Sequence, residues 1–593
     1  MAEAMAVIRP RPNAPSRFRK RCGPGLPALL LAAAAFLATG CGGGGSSTSA
    51  SLSGGSGTTY TVSGTVTGTV ISGVTLSLSG TTTSGSSSVS ATATTDANGN
   101  YTFSEVAGTY TITPSLSGYT FAPSSATETL AANVSGVDFV STAVTIVSSS
   151  VTGGALGDLT DYSGLTLTSG GTYASNSTGV TDTSYSFTST TADVPAIKVA
   201  PGGGLTAAQA LITKSGDTGS TDNSAFYGID AGVLASSSST STSYTESGKT
   251  TQLTLTDCTI NTTAIGADGA FAFGEGATVA LDHVTIATTG GNNARGVDAT
   301  YGGTVSVTDS VISTTGNSCA ALASDRYTGA TAPVIKATDC TCTTAGSGSP
   351  GIYCTGTFTV TGCTLSATGS EAAVVEGKNA ITLSDTSLSG AVKWGVLIYQ
   401  SNSGDSSTGV GAFTMTGGTL TNSSSGALFV VCDTDAAITL KGATLVNPSG
   451  TLLLAGEAAT ALAYNGAINA SWGTLGGVVT FAATDQTLSG NIILCDTSST
   501  LALTLAGSTL SGAIDTKDIG GTRTVTLDSA SKWTATANSH VTTLTGVALT
   551  AGAPTNVDAA TGITITCGSA TDASSVALSG TYPLASGGSL VVS

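Results

Sequence analysis

The sequence predicts an all-β protein in which a small β-sandwich precedes a long solenoid of stacked three-strand coils. The solenoid is predicted by an eight-residue phrase: apolar, polar, apolar, polar, turn residue, small, Thr-like, apolar. It begins at Leu253, Val279, Val305, Ile335, Phe358, Ile381, Phe413 and Ile438. The starts lie 26, 26, 30, 23, 23, 32 and 25 residues apart. That is too few for a strand, a crossover helix and their loops, and enough for one coil of three short strands. Composition agrees, since charged residues make up only 9%, aromatics 5%, and there are 79 glycines beside abundant Ser and Thr. Such a chain suits short strands and tight turns.

Strand alternation places Leu253, Val279 and their equivalents on the same side as Leu255, Leu281, Val307, Ala337, Val360, Leu383, Met415 and Leu440. The fifth place holds Asp257, His283, Asp309, Asp339, Gly362, Asp385, Gly417 and Gly442, residues that tolerate a left-handed backbone. The strand is expected to bend there. Beyond the bend, small residues (Cys258, Val284, Ser310, Cys340, Cys363, Thr386, Gly418, Ala443) and a last apolar row from Ile260 to Leu445 point inward again. One coil cannot bury these rows alone, so copies must stack. The phrase, turn and spacing resemble the right-handed parallel β-helix of pectate-lyase-like proteins. A leucine-rich repeat would place an Asn in a different frame and keep a stricter period.

Met1 to Gly40 read as an export signal, with six basic residues from Arg9 to Arg21, an apolar core from Leu26 to Leu37, then Ala38-Thr39-Gly40-Cys41. The last four resemble the bacterial lipobox, which implies that Cys41 becomes a diacylated N-terminus. By the same resemblance, Gly42 in place of Asp implies the outer membrane or cell surface. Removing residues 1–40 leaves 12 of 18 basic and 34 of 35 acidic residues, a formal charge of −22. Nucleic acid is thereby an unsuitable partner. Residues 41–58 form the lipidated Cys and a Gly/Ser tether.

In residues 59–142 the pattern changes to alternating strands: YTVSGTV from Tyr60, GVTLSLSG from Gly73, GTYTITPSLSGYTF from Gly108, and a hairpin signal at Asp96-Ala97-Asn98-Gly99. The segment resembles the carboxypeptidase-regulatory-like, transthyretin-like β-sandwich of exported bacterial proteins, mostly a spacer. Residues 143–593 are assigned to the β-helix with its caps. In it the serine-rich run from Ser236 is expected as a surface loop, and Trp533 as the seal of a terminal coil.

Charged residues cluster between Arg295 and Asp405, on related faces of successive coils. The candidates are Glu275, Arg295, Asp298, Asp325, Arg326, Glu376, Lys378, Lys393, Tyr399 and Asp405. As catalytic candidates, Asp298, Asp325, Arg326, Glu376 and Lys378 admit two chemistries. A lyase would use Arg326 or Lys378 as base, with acidic residues, alone or through Ca²⁺, neutralising a uronate. A hydrolase would use two carboxylates set apart by a sugar. The paired-Asp, Gly-His-Gly and calcium-site motifs of the pectin enzymes are missing from the sequence. His283 and the aspartates of the fifth place fit a turn ladder better than a metal string, so no metal or cofactor is expected outside the lyase alternative. Cys340 and Cys363 share one phase in adjacent coils, which places them within disulfide range; two reduced thiols fill the same space.

Phrases such as GVDATYGG from Gly296 and CAALASDR from Cys319 resemble a group of exported bacterial β-helix proteins described as adhesin-like. That resemblance implies surface display, with extracellular or host glycans or surface proteins as partners. Outward threonines at Thr254, Thr256, Thr359, Thr361, Thr414 and Thr416 resemble ice-binding ladders, interrupted at Ala280, Asp282, Lys336 and Lys441. The function expected is an adhesin-like or glycan-binding rod; the alternative is a polysaccharide lyase or glycoside hydrolase.

Overall fold

The computed structural model describes residues 58–593 except 69, 84–87, 117–118, 144–149, 153–164, 169–185, 209, 326–328, 403–404 and 463–472. The export signal, Cys41, nearly all of the tether and Arg326 thus lie outside the described residues.

Residues 59–143 fold as a β-sandwich. One sheet orders its strands Asn100–Val106, Thr59–Gly68, Phe139–Ala143 and Tyr119–Ala122; the other orders Ser88–Thr94, Thr75–Thr82, Gly108–Ser115 and Ala126–Leu130. Alternate residues Val62, Val66, Leu76, Leu78, Tyr101, Phe103, Tyr110, Ile112 and Phe139 fill the space between them. The predicted Asp96–Gly99 turn is present, with Asp96 Oδ1 accepting from the Asn98 and Asn100 amides at 2.8 and 2.9 Å. The same bonds hold the Asp96 carboxyl below its ordinary range.

The rest of the chain forms long parallel sheets, as in a parallel β-helix. A first sheet has 18 strands, and a second and third have 11 each. The repeated phrase is in register throughout: Leu253 pairs with Val279, Val279 with Val305, and so on to Ile438 and beyond to Phe481, Leu503 and Val525. The last apolar row stacks in the second sheet from Ile212 through Ile260 to Leu445. These rows meet in one continuous core.

The fifth place is the corner between the first two sheets. Asp257, His283, Asp309, Asp339 and Asp385 have φ of 52°, 53°, 46°, 53° and 47°, and Gly362, Gly417 and Gly442 are also left-handed. Gly362 is required for a second reason, because a Cβ there would lie 2.0 Å from Asp339 Oδ1. The small residue after the corner caps the coil before it: Ser310 Oγ accepts from the Val284 amide at 2.9 Å, and Cys363 Sγ from the Cys340 amide at 3.2 Å. Hence a thiol or hydroxyl recurs there. Cys340 and Cys363 are both buried and stand as free thiols. Asp309 is exposed, so Asp309→Val is expected to cost about 1–2 kcal/mol through the left-handed backbone alone, with Asp309→Gly near neutral. Urea midpoints of the two variants check this.

Two expectations are corrected. In the serine-rich run, Ser236, Ser237 and Ser238 are buried, because Val233–Ser236 is a strand of the third sheet whose outer face is covered, while Ser239 to Ser243 are exposed as read. Trp533 is fully buried and donates to Gly512 O at 2.9 Å. It is no terminal seal, since the strands Ser539–Val547 and Thr564–Asp572 continue the stack past it. Antiparallel strands close the sheets instead: Ser150–Thr152 and Leu165–Thr168 at the start, Gly580–Pro583 at the end. Reversed strands of this kind break the parallel template that a further coil would need. The threonine ladder is interrupted as read, with Thr254 beside Ala280 and Thr359 beside Lys336.

Candidate functional site

The third sheet is buried on both faces: Val297–Thr300, Ala373–Glu376 and Val396–Tyr399 each bury all four residues. Their inward side chains join the core, and chain inserted between coils covers the outward ones. At one end an aromatic cluster of Phe271, Phe273 and Tyr301 packs with Tyr227 and Tyr244; at the other Val374, Leu397, Val430 and Leu454 pack with Trp394. Between these apolar clusters, in neighbouring coils, the outward residues turn polar: Asp298, Asp325, Tyr353 and Glu376.

Over this stretch lies a short helix, Thr221–Tyr227, started by Ser220 Oγ accepting from the Asn223 amide at 3.2 Å and stopped by left-handed Gly228. Thr300 Oγ1 donates to Phe226 O at 2.8 Å and Ser224 Oγ to Gly266 O, which pin it to the sheet. The helix and the turns before the third-sheet strands enclose a pocket of about 320 Å³. Its lining includes Asp222 and Phe226 from the helix, Asn293 and Arg295 before one strand, Ser318, Ala320 and Asp325 from the next coil, Pro350 and Tyr353 from the one after, and Asp405.

Arg295 organises the floor. Its Nη1 is bonded to Asp298 Oδ2 and lies 2.5 Å from Asp325 Oδ2, and its backbone amide donates to Asp268 Oδ1 at 2.8 Å. Two carboxyls thus share one guanidinium and a third sits on the backbone amide of the same residue, and Asp268 Oδ2 and Asp298 Oδ1 are buried with no hydrogen-bond partner. Burial raises all three. Asp298 reaches about 6 against the pull of Arg295. Asp325 reaches about 7, with Arg295 pulling down and the charges of Asp298 and Asp405 pushing up. Asp268 is held well above its ordinary range by burial and the Asp298 charge. One cation cannot stabilise three buried anions, so protons make up the difference.

Tyr353 joins this cluster to a second network. Arg295 lies over its ring, 5.7 Å from the centroid. Its hydroxyl donates to Glu376 Oε2 at 2.6 Å, where Tyr399 also donates at 2.8 Å, while Ser401 donates to Oε1. Burial and the Glu376 charge push both phenols well above their ordinary range, so they remain donors at every working pH. Glu376 therefore fixes the ring of Tyr353 as one wall of the pocket.

Of the sequence candidates, Asp298, Asp325 and Glu376 come together with Arg295, Tyr399 and Asp405. Lys378 does not join them: it is exposed, and its amide donates to Ser407 O at 2.8 Å. Lys393 lies 3.9 Å from Glu371 and over the Trp394 ring, and Glu275 accepts from Thr331. His283 sits at an exposed corner, its Nδ1 2.9 Å from Asp282 Oδ1. With Asp309 the pair places three ligand-type atoms within 4.8 Å of one another, on the surface and apart from the pocket. Sequence reasoning missed Asp268, Asp222, Phe226 and the role of Tyr353. Asp268 had a signal in Asp268-Gly269-Ala270, which parallels Arg295-Gly296-Val297 and stacks directly on it.

Fold and site together define an all-β protein, a β-sandwich followed by a β-helix-like solenoid with a polar pocket over its third sheet. Residues 58–144 match the family model described as BOS complex subunit NOMO1-like, second beta sandwich domain. No curated protein matches the chain. The sandwich thus has a family likeness, and the function of the solenoid must be argued from its pocket.

Proposed function

We propose that this is an exported, lipid-anchored surface protein whose β-helix binds a neutral glycan in the pocket over the third sheet. The observation that carries the reading is the pocket itself: about 320 Å³, at the small end of the roughly 300–1,000 Å³ typical of ligand sites, with a floor fixed by buried networks on successive coils. A sugar ring offers apolar C–H faces to Tyr353 and Phe226 and hydroxyls to Asn293, Asp325 and Asp405. The carboxylates disfavour uronates by like-charge repulsion. Arg295 gives a uronate little compensation, because its charge is already shared among Asp298, Asp325 and Asp268. A lyase working through Lys378 has no support in this arrangement. The lipobox-like residues before Cys41 support the anchor, and the sandwich serves as the spacer that holds the pocket away from the membrane.

The test is a glycan array probed with the purified mature chain, followed by calorimetry on retained sugars. Tyr353→Ala is expected to weaken binding about tenfold, the loss of one stacking face, and Tyr353→Phe to leave it nearly intact because the hydroxyl points to Glu376. Retention of no sugar, or equal binding by Tyr353→Ala and the unaltered chain, overturns the reading.

A further inference from the structure

The geometry points to catalysis in the same pocket: Asp325 protonates the glycosidic oxygen of a bound neutral oligosaccharide, and Asp405 takes the proton of the water that attacks the anomeric carbon. This rests on the glycan-binding reading and adds an activity to it.

Three features of the pocket carry the inference. Asp325 lies where its strand ends, in register with Thr300 of the preceding coil, and it lines the pocket instead of facing the core. One of its oxygens is held by Arg295, so the carboxyl is oriented before any ligand arrives. The guanidinium that would otherwise keep Asp325 ionised is divided with Asp298 behind it, and the charge of Asp268, held on the Arg295 amide, acts on it as well. That division explains why two further acids are buried at a place that makes no contact with the pocket lumen. Burial then leaves Asp325 near 7, where a carboxyl serves as a proton donor at neutral pH. A pocket made only for binding needs acceptors for sugar hydroxyls, and ionised carboxylates supply them. A carboxylic acid kept protonated is the group a leaving alkoxide needs.

Besides Asp325 the lining carries two carboxylates, Asp222 and Asp405, and the charge of Asp405 acts on Asp325, which sets those two groups within electrostatic reach of each other. In the reaction the bond from the anomeric carbon to the bridging oxygen breaks as that oxygen receives the Asp325 proton. The water oxygen bonds to the anomeric carbon and its proton passes to Asp405. The products are an alcohol on the leaving sugar and a new reducing end. Water is the sole co-reactant, nothing is oxidised or reduced, and exchange with solvent returns each carboxyl to its starting state.

The experiment incubates the mature chain with cellotetraose, maltotetraose, xylotetraose, mannotetraose and chitotetraose, counting new reducing ends by chromatography while calorimetry reads binding. At least one probe is expected to be cleaved, with the rate falling as pH rises through about 7. Asp325→Asn is expected to lose about 100-fold or more in rate with affinity changed only a few-fold. Asp405→Asn, at a half-buried loop position, is expected to lose a similar factor and guards against a folding defect in the first variant. Binding without any new reducing end overturns the catalytic inference and leaves the glycan-binding reading standing. Cleavage undiminished in both variants also overturns it. Absence of both binding and cleavage overturns the two together.

Discussion

Arg295→Met is expected to destabilise the solenoid by about 3–5 kcal/mol at pH 8, because it strips from buried carboxyls the one cation that pairs with them among the described residues. At pH 5 the loss should be much smaller. The sign follows from the direction of the shifts. Asp325 and Asp298 titrate near 7 and 6 in the folded chain, and Asp268 is raised as well. Each is an acid whose folded value lies above the unfolded one. The folded state therefore binds more protons than the unfolded state between about pH 4 and 7, and stability falls as pH rises through that window. Asp230, near 6, acts in the same direction. The lowered groups Asp496, Asp528 and Asp558 lose their contribution only when pH falls below the ordinary carboxyl range, so they do not offset this between pH 5 and 8. The unaltered protein should thus melt higher at pH 5 than at pH 8, and the variant should widen the gap. Thermal midpoints of both chains at the two pH values check it. Equal losses at pH 5 and pH 8 would mean that packing around Arg295, not its charge, supports the floor.

Lys214→Met is the second large expected effect, also about 3–5 kcal/mol. Lys214 and Asp230 are both fully buried, with Nζ 2.7 Å from Asp230 Oδ1. The ammonium also donates to Thr191 O at 3.0 Å and to Gly216 O. In later coils the equivalent inward position holds Thr262, Thr288, Thr314 and Thr344, whose hydroxyls donate to nearby carbonyls such as Ala267 O at 2.7 Å. In the coil before, Ser189 holds this position and donates to Val194 O at 2.7 Å; lysine does the same work here and carries a charge that needs Asp230. Removing it leaves a buried carboxylate and two carbonyls without their donor. The double variant Lys214→Met, Asp230→Asn should recover a substantial part of the loss, since Asn still accepts from the Asp193 amide that Asp230 now holds at 2.8 Å. A solenoid couples mainly neighbouring coils, so the damage should be local. Hydrogen exchange in Ile197–Val199 and Leu211–Lys214 is the measurement, and unchanged protection there would contradict the assignment.

Legibility in the sequence followed the physics of each feature. The apolar rows from Leu253 to Ile438 were readable because stacking repeats one environment in coil after coil, and a repeated environment selects a repeated residue type. The corner was readable for the same reason, since a left-handed backbone admits few residues, and Asp and Gly recur there. The pocket occurs once, so no period announces it. Arg295, Asp298, Asp325 and Glu376 drew attention only because charge is scarce in this chain. Asp268 went unnoticed although it precedes its strand as Arg295 precedes the next. Lys378 looked equivalent to Glu376 from its sequence neighbourhood, yet a two-residue step past the strand end carries it out to solvent.

The all-β class, the strand register of the first two sheets, the corner and the sandwich turn at Asp96–Gly99 follow from the amino-acid order alone, because each is set by local alternation or local backbone conformation. The tertiary structure alone decided that the outer face of the third sheet is covered, that a seven-residue helix helps roof a pocket there, and that one arginine answers for three aspartates. Those facts depend on which inserted segment folds back over which coil. That choice is made by contacts between residues far apart in the chain, such as Phe226 with Thr300, 74 positions on, and it leaves no periodic trace in the chain.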